Sequence, residues 1–246
     1  MKLFKIIEAN DESEVNTLAS MHHLRWKVFS QELHWSVGLQ TFNRMEFDEY
    51  DNTGTYYIVR LNDYGIVDAT CRLMPTSKPY MLEEHYAHFV SNEAMPKSDT
   101  VWEFSRTCAS AEARAERGTN VTAQLITAAI EFGLVHNVQQ YISLTTDNVF
   151  PLLRRIVGWD SAPMGERLAT PDDYSYSLKH SVSYDMLNHM RARHHIDAPL
   201  IYDFDENFQQ IRSVWNDSTF IQQNRYAHPA GSNGFPSGYN CSPVIS

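Results

Sequence analysis

The sequence has few of the residues that would indicate disulfides, metal centres, membrane spans or nucleic-acid binding. Its three cysteines, Cys71, Cys108 and Cys241, form no CxxC pair or other metal-ligand spacing. No apolar run reaches the length of a membrane span, and the start turns polar too early for a signal peptide. Lys and Arg number 20 against 30 acidic residues, and the net charge of −10 argues against general nucleic-acid binding. We therefore expect a cytoplasmic protein with reduced thiols and no metal.

The composition is that of an ordinary globular protein followed by an irregular end. Apolar residues make up 43% of the 246 residues and charged residues 20%, which suits one domain with a sizeable core. From about Asp197 onward the sequence becomes rich in Pro, Gly, Ser and Asn. We predict one domain over residues 1–195 and a C-terminal extension over residues 196–246, partly an irregular tail.

Hydrophobic periodicity predicts a first helix, then a pair of antiparallel strands, and then strands that alternate with helices. Helices are expected over residues 13–33, 120–137 and 182–194, with shorter ones in "YMLEEHYAHF" and "NVFPLLRRIV". Strands are expected as two runs within residues 55–75, in "VWEFSRTCA" and "YISLTT", and as two more within residues 159–180. Residues 34–54 lack periodicity and are predicted to form a long loop. This order indicates an α/β (α+β) fold with a mixed central sheet flanked by helices.

Charged residues stand within otherwise apolar segments of the first half of the chain. They are Arg25, Asp48, Asp51, Arg72, Glu103 and Arg106, accompanied by the aromatic Phe29 and Trp35. Burying such charges is costly unless they meet partners, so we predict that folding gathers them into one mutually neutralising cluster lining a cleft. A functional site and a purely structural ion-pair network explain this pattern equally well.

Two of these residues, Glu103 and Arg106, set a geometric condition. They lie three positions apart in one predicted strand, and side chains of a regular strand alternate between its two faces. Both can serve one site only if the strand bulges or ends between them. A regular strand would remove one of the two from the site.

Four stretches of the chain resemble the acyl-homoserine-lactone synthases, the bacterial autoinducer synthases. They are "LRWKVFSQELHW", "EFDEYDNTGTYYIV", "ATCRLMPTSKPYML" and "VWEFSRTCAS", and they match in order, residue type and spacing. The resemblance implies a GNAT-like acyltransferase fold with a strand splayed at the active site, where a backbone N–H receives the thioester oxygen. It also implies quorum-sensing signal synthesis. An acyl group passes from a thioester to the amine of S-adenosylmethionine, and lactone closure then releases methylthioadenosine.

The resemblance assigns roles to the clustered residues. It implies that Glu103 is the base, acting through a water, with Arg72 and Arg106 beside it, although Glu103 as an ion-pair partner of either arginine is an equal alternative. The residues it implies for S-adenosylmethionine are Arg25, Phe29, Trp35, Asp48, Asp51, Arg72 and Phe104. Phe104 is included because Thr107 stands where the family commonly has an aromatic residue.

Other residues are expected to meet the acyl chain and its carrier. The predicted acyl pocket consists of Leu125, Ser143, Leu144, Thr145 and Leu152, each of which core packing would also explain. Ser143 aligns with a position where the family often has a threonine, associated with 3-oxo acyl chains. Arg154 and Arg155 are either a solvated helix face or a basic patch that meets acidic acyl carrier protein. Acyl-CoA is the alternative donor.

The cofactor, the oligomeric state and the alternative functions follow from the same reading of the sequence. S-adenosylmethionine is a substrate, so no cofactor is expected, and the chain is expected to be a monomer. One alternative is an acetyl-CoA-dependent N-acetyltransferase, whose pyrophosphate loop would correspond to residues 115–120. Only Gly118 matches the small-residue pattern of that loop. The other alternative is a homologue that binds an adenosyl ligand without turnover.

Overall fold

A computed structural model of the chain describes residues 4–35, 40–170 and 173–201. The strands are Phe4–Glu8 (β1), Gln40–Phe42 (β2), Met45–Phe47 (β3), Tyr56–Leu61 (β4), Val67–Pro75 (β5), Val101–Ala109 (β6), Gln140–Thr146 (β7), Ser161–Pro163 (β8), Leu168–Ala169 (β9) and Tyr174–Ser181 (β10). The helices are Val15–Arg25 (α1), Met81–Tyr86 (α2), Ala111–Arg114 (α3), Val121–Val135 (α4), Phe150–Leu152 (α5) and Tyr184–His194 (α6). Two helices continue as π-helical turns, α1 over Trp26–Glu32 and α5 over Leu153–Val157.

Eight strands form one sheet, in the order β1-β4-β5-β6-β7-β10-β8, with β9 paired to β10. The pair β6–β7 is parallel, and the other pairs described in this sheet are antiparallel. The predicted mixed sheet flanked by helices is therefore confirmed.

The parallel pair separates soon after it forms. It extends over three positions only, from Val101 opposite Gln140 to Glu103 opposite Ile142. Beyond that point β6 continues to Ala109 and β7 to Thr146 without pairing to each other. The sheet thus contains the predicted splayed strand, and Glu103 stands at the last paired position.

Helices cover the two faces of the sheet unequally. The apolar helix α4 packs between β5, β6 and α6, and most of its residues are buried because both sides of the helix meet protein. Phe104, Tyr141 and Trp159 belong to the core on this α4 side. The other face carries α1 over β5 and β6, with a smaller apolar cluster around Phe29. Arg72 and Glu103 point to this α1 side, because their strand neighbours Cys71 and Phe104 face α4.

Three local predictions need correction. Residues 34–54 are not one loop, because β2 and β3 form a hairpin whose turn residues Asn43 and Arg44 have φ values of 51° and 59°. Such positive φ values suit a tight hairpin turn, which the sequence does not mark with glycine. The edge strand β1 was not expected, and residues 159–180 contribute to three strands, the short β8 and β9 and the eight-residue β10, rather than two.

The packed domain also extends beyond residue 195. Ile196, Leu200 and Ile201 are buried in the α4-side core. The Phe4 N–H donates to the Leu200 carbonyl at 2.8 Å, so residues 200–201 add to the edge of β1. Residues 202–246, which include Cys241 and most of the predicted extension, lie outside the described residues.

Candidate active site

A closed ring of ion pairs lies on the α1 side of the sheet. Each of its three arginines contacts two carboxylates, and each of its three carboxylates contacts two arginines. The order around the ring is Arg25, Asp51, Arg72, Asp48, Arg106, Glu46 and back to Arg25. None of the six side chains is more than 6% exposed. We call this set the ion-pair ring; its formal charges sum to zero.

Asp51 is the most heavily bonded member of the ion-pair ring. Arg25 binds it with both terminal nitrogens, at 2.8 and 2.9 Å, and Arg72 Nη1 lies 3.0 Å from Oδ1. The Tyr57 hydroxyl donates to Asp51 at 2.6 Å, and the Asp48 N–H donates at 2.9 Å. Asp51 thereby joins α1, β4, β5 and the loop after β3.

Arg106 connects the strand β6 to the same acidic segment. Its Nη2 lies 2.7 Å from Asp48 Oδ2 and its Nε lies 3.2 Å from Glu46 Oε1. Arg25 also binds Glu46. The residues Glu46 to Asp51 are therefore held against the sheet by guanidinium groups from three separate elements.

Guanidinium groups of the ion-pair ring keep Asp51 and Asp48 ionised. Burial alone would raise the pKa of Asp51, but the Arg25 and Arg72 guanidiniums outweigh burial and hold that pKa well below 3.8. Burial opposes the charge of Asp48 in the same way, and Arg72 and Arg106 lower its pKa. These two carboxylates are thus fixed charges rather than proton donors or acceptors.

A bulge in β6 brings Arg106 to the side of Glu103. Opposite Cys71, β6 inserts an extra residue, and Arg106 has a φ of 49°. Phe104 faces the α4 side before the bulge and Ala109 faces it afterwards, so the alternation shifts by one residue. The geometric condition set by the sequence is therefore met, and both side chains reach the α1 side.

Glu103 lies beside the ion-pair ring without belonging to it. Its Oε2 accepts the Leu82 N–H at 2.8 Å, and its Oε1 has no hydrogen-bond partner among the described residues. The side chain is buried, and burial raises its pKa above the ordinary 4.5, with Arg72 opposing the shift. The described structure shows no ion pair between Glu103 and either arginine. The carboxylate that completes the ring is Glu46, which sequence reasoning missed.

Arg72 and Glu103 both retain a buried polar atom for a ligand. Arg72 Nε donates to the Ser105 hydroxyl at 3.2 Å, whereas its Nη2 has no partner among the described residues. Ser105 pairs with Arg72 across the strands, and Glu103 precedes it by two positions on the same face. Unpartnered buried polar atoms are rare in folded proteins. A guanidinium nitrogen and a carboxylate oxygen therefore lie near each other as candidate ligand contacts.

The predicted aromatic contacts divide between the two faces. Phe29 and Trp35 stack with ring centroids 5.1 Å apart, and the Arg106 guanidinium lies 5.8 Å from the Phe29 ring. Phe29 is fully buried by these neighbours, while Trp35 is half-exposed. Phe104 packs edge-on against Trp159, 5.2 Å between centroids, on the α4 side. Phe104 therefore does not line the ion-pair ring, contrary to its place among the predicted adenosyl contacts.

The five predicted acyl-pocket residues do not share one surface. Leu125, Ser143 and Thr145 are buried on the α4 side, whereas Leu144 packs with Ile142 on the opposite face. Leu152 is half-buried on α5. The basic pair Arg154 and Arg155 is exposed on the π-helical turn that follows α5.

Sequence signals existed for some of the residues that the prediction missed. Glu46 begins the acidic run that contains Asp48 and Asp51, and it is the buried middle residue of β3. Ser105 alternates with Glu103 on β6, which marks it as facing the same side. The Leu82 N–H carries no signal, because a backbone contact depends on how α2 lies against β6.

The described residues contain no group of three or more His, Cys, Asp or Glu side chains arranged to hold a metal ion. Nor does any described helix have the length and apolar character needed to cross a membrane.

Comparison with known proteins gives the same family as the sequence resemblance. The family model described as Autoinducer synthase matches residues 9–189. An acyl-homoserine-lactone synthase of Vibrio anguillarum is 30% identical over 139 residues, covering 56% of this chain and 71% of that protein. One of Pseudomonas aeruginosa is 27% identical over 176 residues, covering 70% and 86%. In fold, the chain matches a CoA-dependent acyl-homoserine lactone synthase, BjaI, solved with MTA. That match has a TM-score of 0.75 and 21% identity over 87% of this chain and 100% of that one.

The splayed mixed sheet flanked by helices is the fold of a GNAT-like acyltransferase. The family match covers most of the domain, and it shows that this chain belongs to the autoinducer synthase family. The resemblance in the four sequence stretches is thereby confirmed, as is the prediction of an acyltransferase enzyme.

Proposed function

We propose that this protein uses Glu103, Arg72 and the β6 splay to make an N-acyl-homoserine lactone from S-adenosylmethionine and an acyl thioester. The observation that carries the proposal is the position of Glu103. It is a buried carboxylate with no ion pair among the described residues, at the last paired position before β6 and β7 separate. A base at this point can serve a nucleophile on the α1 side and an acyl group entering the gap.

The first chemical step joins the two substrates. Glu103, acting through a water, takes a proton from the ammonium group of S-adenosylmethionine, and the freed amine attacks the thioester carbonyl. Collapse of the intermediate forms the amide and breaks the carbon–sulfur bond, and the departing thiolate takes up a proton. We assign stabilisation of the oxyanion to a backbone N–H of β6 beyond the last β7 pair, where β6 no longer pairs with β7. The raised pKa of Glu103 suits a group that must both take and return a proton.

The second step closes the ring of the product. The carboxylate of the acylated intermediate attacks its own γ-carbon, and the carbon–sulfonium bond breaks to release methylthioadenosine. Arg72 Nη2 is the candidate partner of that carboxylate before attack. We assign Arg25, Asp48, Asp51 and Arg106 to positioning the acidic segment, and Trp35 to the adenosyl group.

The acyl donor is a thioester of acyl carrier protein or of CoA, and the exposed Arg154 and Arg155 favour the acidic carrier protein. The alternative of an N-acetyltransferase has less support, because the backbone N–H groups and space that a pyrophosphate would need are taken up at the start of α4. The Asn120 side chain accepts the Ala123 N–H there at 3.0 Å. In the loop before α4, the Glu116 carboxylate lies 3.1 Å from Arg60 of β4 and brings negative charge to the position of a phosphate. We propose a cytoplasmic enzyme without a cofactor, because S-adenosylmethionine is consumed as a substrate.

Mass spectrometry of purified enzyme with S-adenosylmethionine and a range of acyl thioesters tests this function. We expect one acylated homoserine lactone for each methylthioadenosine released, and Glu103→Gln should lose both products together. Calorimetric binding of S-adenosylmethionine without any product would instead support the non-catalytic homologue. Amide formation on a different amine, with no methylthioadenosine, would support the N-acetyltransferase.

A further inference from the structure

The short helix α2 is capped by Glu103 and not by a side chain of its own. The residue before it, Tyr80, is extended and makes no capping hydrogen bond with its side chain. The first four N–H groups of a helix lack a partner within the helix, and Leu82 carries one of them. That N–H donates to Glu103 Oε2 at 2.8 Å. The position of α2 therefore decides whether Glu103 keeps this bond.

Six residues are too few for a helix to hold its own place, so α2 depends on contacts with the elements around it. Met81 Sδ lies 3.6 Å from Arg106 Nη1 of the ion-pair ring. The Tyr50 hydroxyl donates to Glu84 Oε2 at 2.6 Å. The contact from Tyr50 is the shorter of the two, and it comes from the acidic segment after β3.

Tyr50 joins α2 to the ion-pair ring. Its N–H donates to Asp48 Oδ1 at 3.0 Å, and its carbonyl accepts the Thr55 hydroxyl at 2.7 Å. The centroid of its aromatic ring lies 5.7 Å from the Arg72 guanidinium, and the residue is 4% exposed. The main chain and the aromatic ring of Tyr50 are thus fixed beside the ion-pair ring, whereas its hydroxyl binds α2. A movement of the acidic segment reaches α2 through this side chain.

The bond between Tyr50 and Glu84 has a fixed direction. Burial raises the pKa of the Tyr50 hydroxyl above its ordinary 10, and the bond to Glu84 raises it further. The phenol therefore keeps its proton and donates, and the carboxylate accepts. Tyr50→Phe removes this donor while leaving the aromatic ring that packs on Arg72.

The bond to Leu82 determines which oxygen of Glu103 is available. With Oε2 taken by the N–H, Oε1 is the oxygen without a partner among the described residues. The charged and titratable groups that face this carboxylate are Arg72, Asp48, Tyr50 and Tyr80. If α2 moved away, the Glu103 carboxylate would be free to turn toward Arg72 and form an ion pair instead of acting as a base.

We infer that Tyr50 is a positioning residue for Glu103. Through Glu84 it fixes α2, and α2 keeps the Leu82 N–H on Oε2, so that Oε1 is the oxygen that receives the proton. This inference rests on the proposed function for the role of Glu103 as base. The link from Tyr50 to Leu82 can be measured with no substrate present, so the two can fail separately.

Hydrogen exchange of the Leu82 amide, followed by NMR, tests the link directly. Amides of α4 report global unfolding in the same spectra. Relative to them, we expect Tyr50→Phe to speed Leu82 exchange about tenfold, because α2 loses the bond that keeps it against Glu103. The matched control Tyr141→Phe removes another buried phenolic hydrogen bond, 2.8 Å long, to the Ala129 carbonyl on the α4 side. It should leave Leu82 exchange unchanged. Equal rates in Tyr50→Phe and the unmodified protein would overturn the inference.

The pH profile of kcat/KM tests the consequence for catalysis. Burial raises the pKa of Glu103, and the Leu82 N–H opposes that shift by binding the ionised form. Weakening this bond in Tyr50→Phe should move the midpoint of the rising limb upward by about 0.5 to 1 pH unit. A variant that only destabilises the fold lowers kcat/KM equally at all pH values, as we expect for Tyr141→Phe. A midpoint that does not move in Tyr50→Phe overturns the inference.

Variants of Glu84 separate the hydrogen bond from the charge. Glu84→Ala removes the acceptor and should raise the midpoint as Tyr50→Phe does, and the double variant should move it no further. Loss of a negative charge alone favours ionised Glu103 and lowers the midpoint, so the direction distinguishes the two causes. Glu84→Gln keeps an acceptor oxygen and should retain the unmodified midpoint. A lowered midpoint in Glu84→Ala would contradict the inference.

The unmodified enzyme and Glu103→Gln separate this inference from the proposed function. If the unmodified enzyme makes the lactone and Glu103→Gln does not, an unchanged Leu82 exchange rate or midpoint in Tyr50→Phe removes only the inference. If Glu103→Gln keeps normal turnover, Glu103 is not the base and both are wrong.

Discussion

Two buried groups of charges lie on opposite faces of the sheet, and they differ in the number of partners. In the ion-pair ring on the α1 side, Asp51 meets Arg25, Arg72 and two further donors. On the α4 side, Glu131 lies 3.5 Å from Arg191. Glu131 also accepts the Leu200 and Ile201 N–H groups, at 3.0 and 3.2 Å. The α4-side carboxylate is thus held mainly by backbone N–H groups of the segment after α6.

The difference in partners decides the charge. Two guanidiniums hold the pKa of Asp51 well below 3.8 despite its burial. With one longer guanidinium contact, burial raises the pKa of Glu131 to about 7 and lowers that of Arg191 to about 9. A buried carboxylate therefore keeps its charge where more than one guanidinium binds it, whereas N–H donors and one distant guanidinium do not offset burial. Glu103, which accepts the Leu82 N–H and forms no ion pair among the described residues, belongs with Glu131 in this respect.

The largest expected effect comes from removing the charge of Glu103. Glu103→Gln should lower turnover between about 10²- and 10⁴-fold, the range for loss of a general base. Folding should be nearly unaffected, because no ion pair of Glu103 is lost. In the unmodified enzyme, kcat/KM should rise with pH as Glu103 loses its proton, with a midpoint above the ordinary 4.5 because burial raises its pKa. Product assays across pH provide the measurement.

The matched control for Glu103→Gln is Glu131→Gln, a buried glutamate on the other face. It should retain turnover within a few-fold of the unmodified enzyme, since Glu131 binds the Leu200 and Ile201 N–H groups on the α4 side and has no contact with the ion-pair ring among the described residues. Equal losses of activity in the two variants would mean that Glu103 acts only through the fold.

The next largest effect is on stability. Asp51→Asn leaves Arg25 and Arg72 short of a counter-charge, and we expect a loss of about 3–5 kcal/mol in the free energy of unfolding. Urea denaturation should show a lower midpoint with an unchanged slope. Asp147→Asn breaks an exposed pair with Arg167, 2.7 Å apart, and should cost less than about 1 kcal/mol. Similar losses in both would contradict the argument that ring members depend on several partners.

The sequence predicted those parts of the site that depend on residue type and left out those that depend on backbone position. Charges in apolar segments predicted that Arg25, Asp48, Asp51, Arg72 and Arg106 would meet, because buried charges need partners. The acidic run marks Glu46 as a candidate, but its place in the ring instead of Glu103 depends on the β2–β3 hairpin, which the sequence did not predict. The sequence showed that a bulge between Glu103 and Arg106 was needed for both to reach one site, but no glycine marks where the bulge lies. Phe104 was expected near the adenosyl group on the α1 side. It faces the α4 side, because it alternates with Glu103 ahead of the bulge.

The pH dependence of stability should separate the two faces. The folded protein keeps the Glu131 proton up to about pH 7, whereas the unfolded chain releases it near 4.5. The folded state therefore binds more protons across this window, and stability falls as pH rises from about 4.5 to about 7, by up to about 3 kcal/mol. Glu131→Gln should flatten this part of the curve, measured by urea unfolding at each pH. A curve that keeps its slope in the variant would show that Glu131 does not titrate there.

The smallest effect concerns charges whose partner is another molecule. Arg154 and Arg155 are exposed, so replacing both with Glu should change the free energy of unfolding by less than about 1 kcal/mol. Because exposed charges of this kind act on encounter with an acidic carrier, KM for acyl carrier protein donors should rise about tenfold at low salt and less at high salt. KM for acyl-CoA should change far less, because CoA presents a much smaller charged surface than the carrier. An equal change for both donors would place the two arginines at the thioester pocket instead of at a docking surface for the carrier.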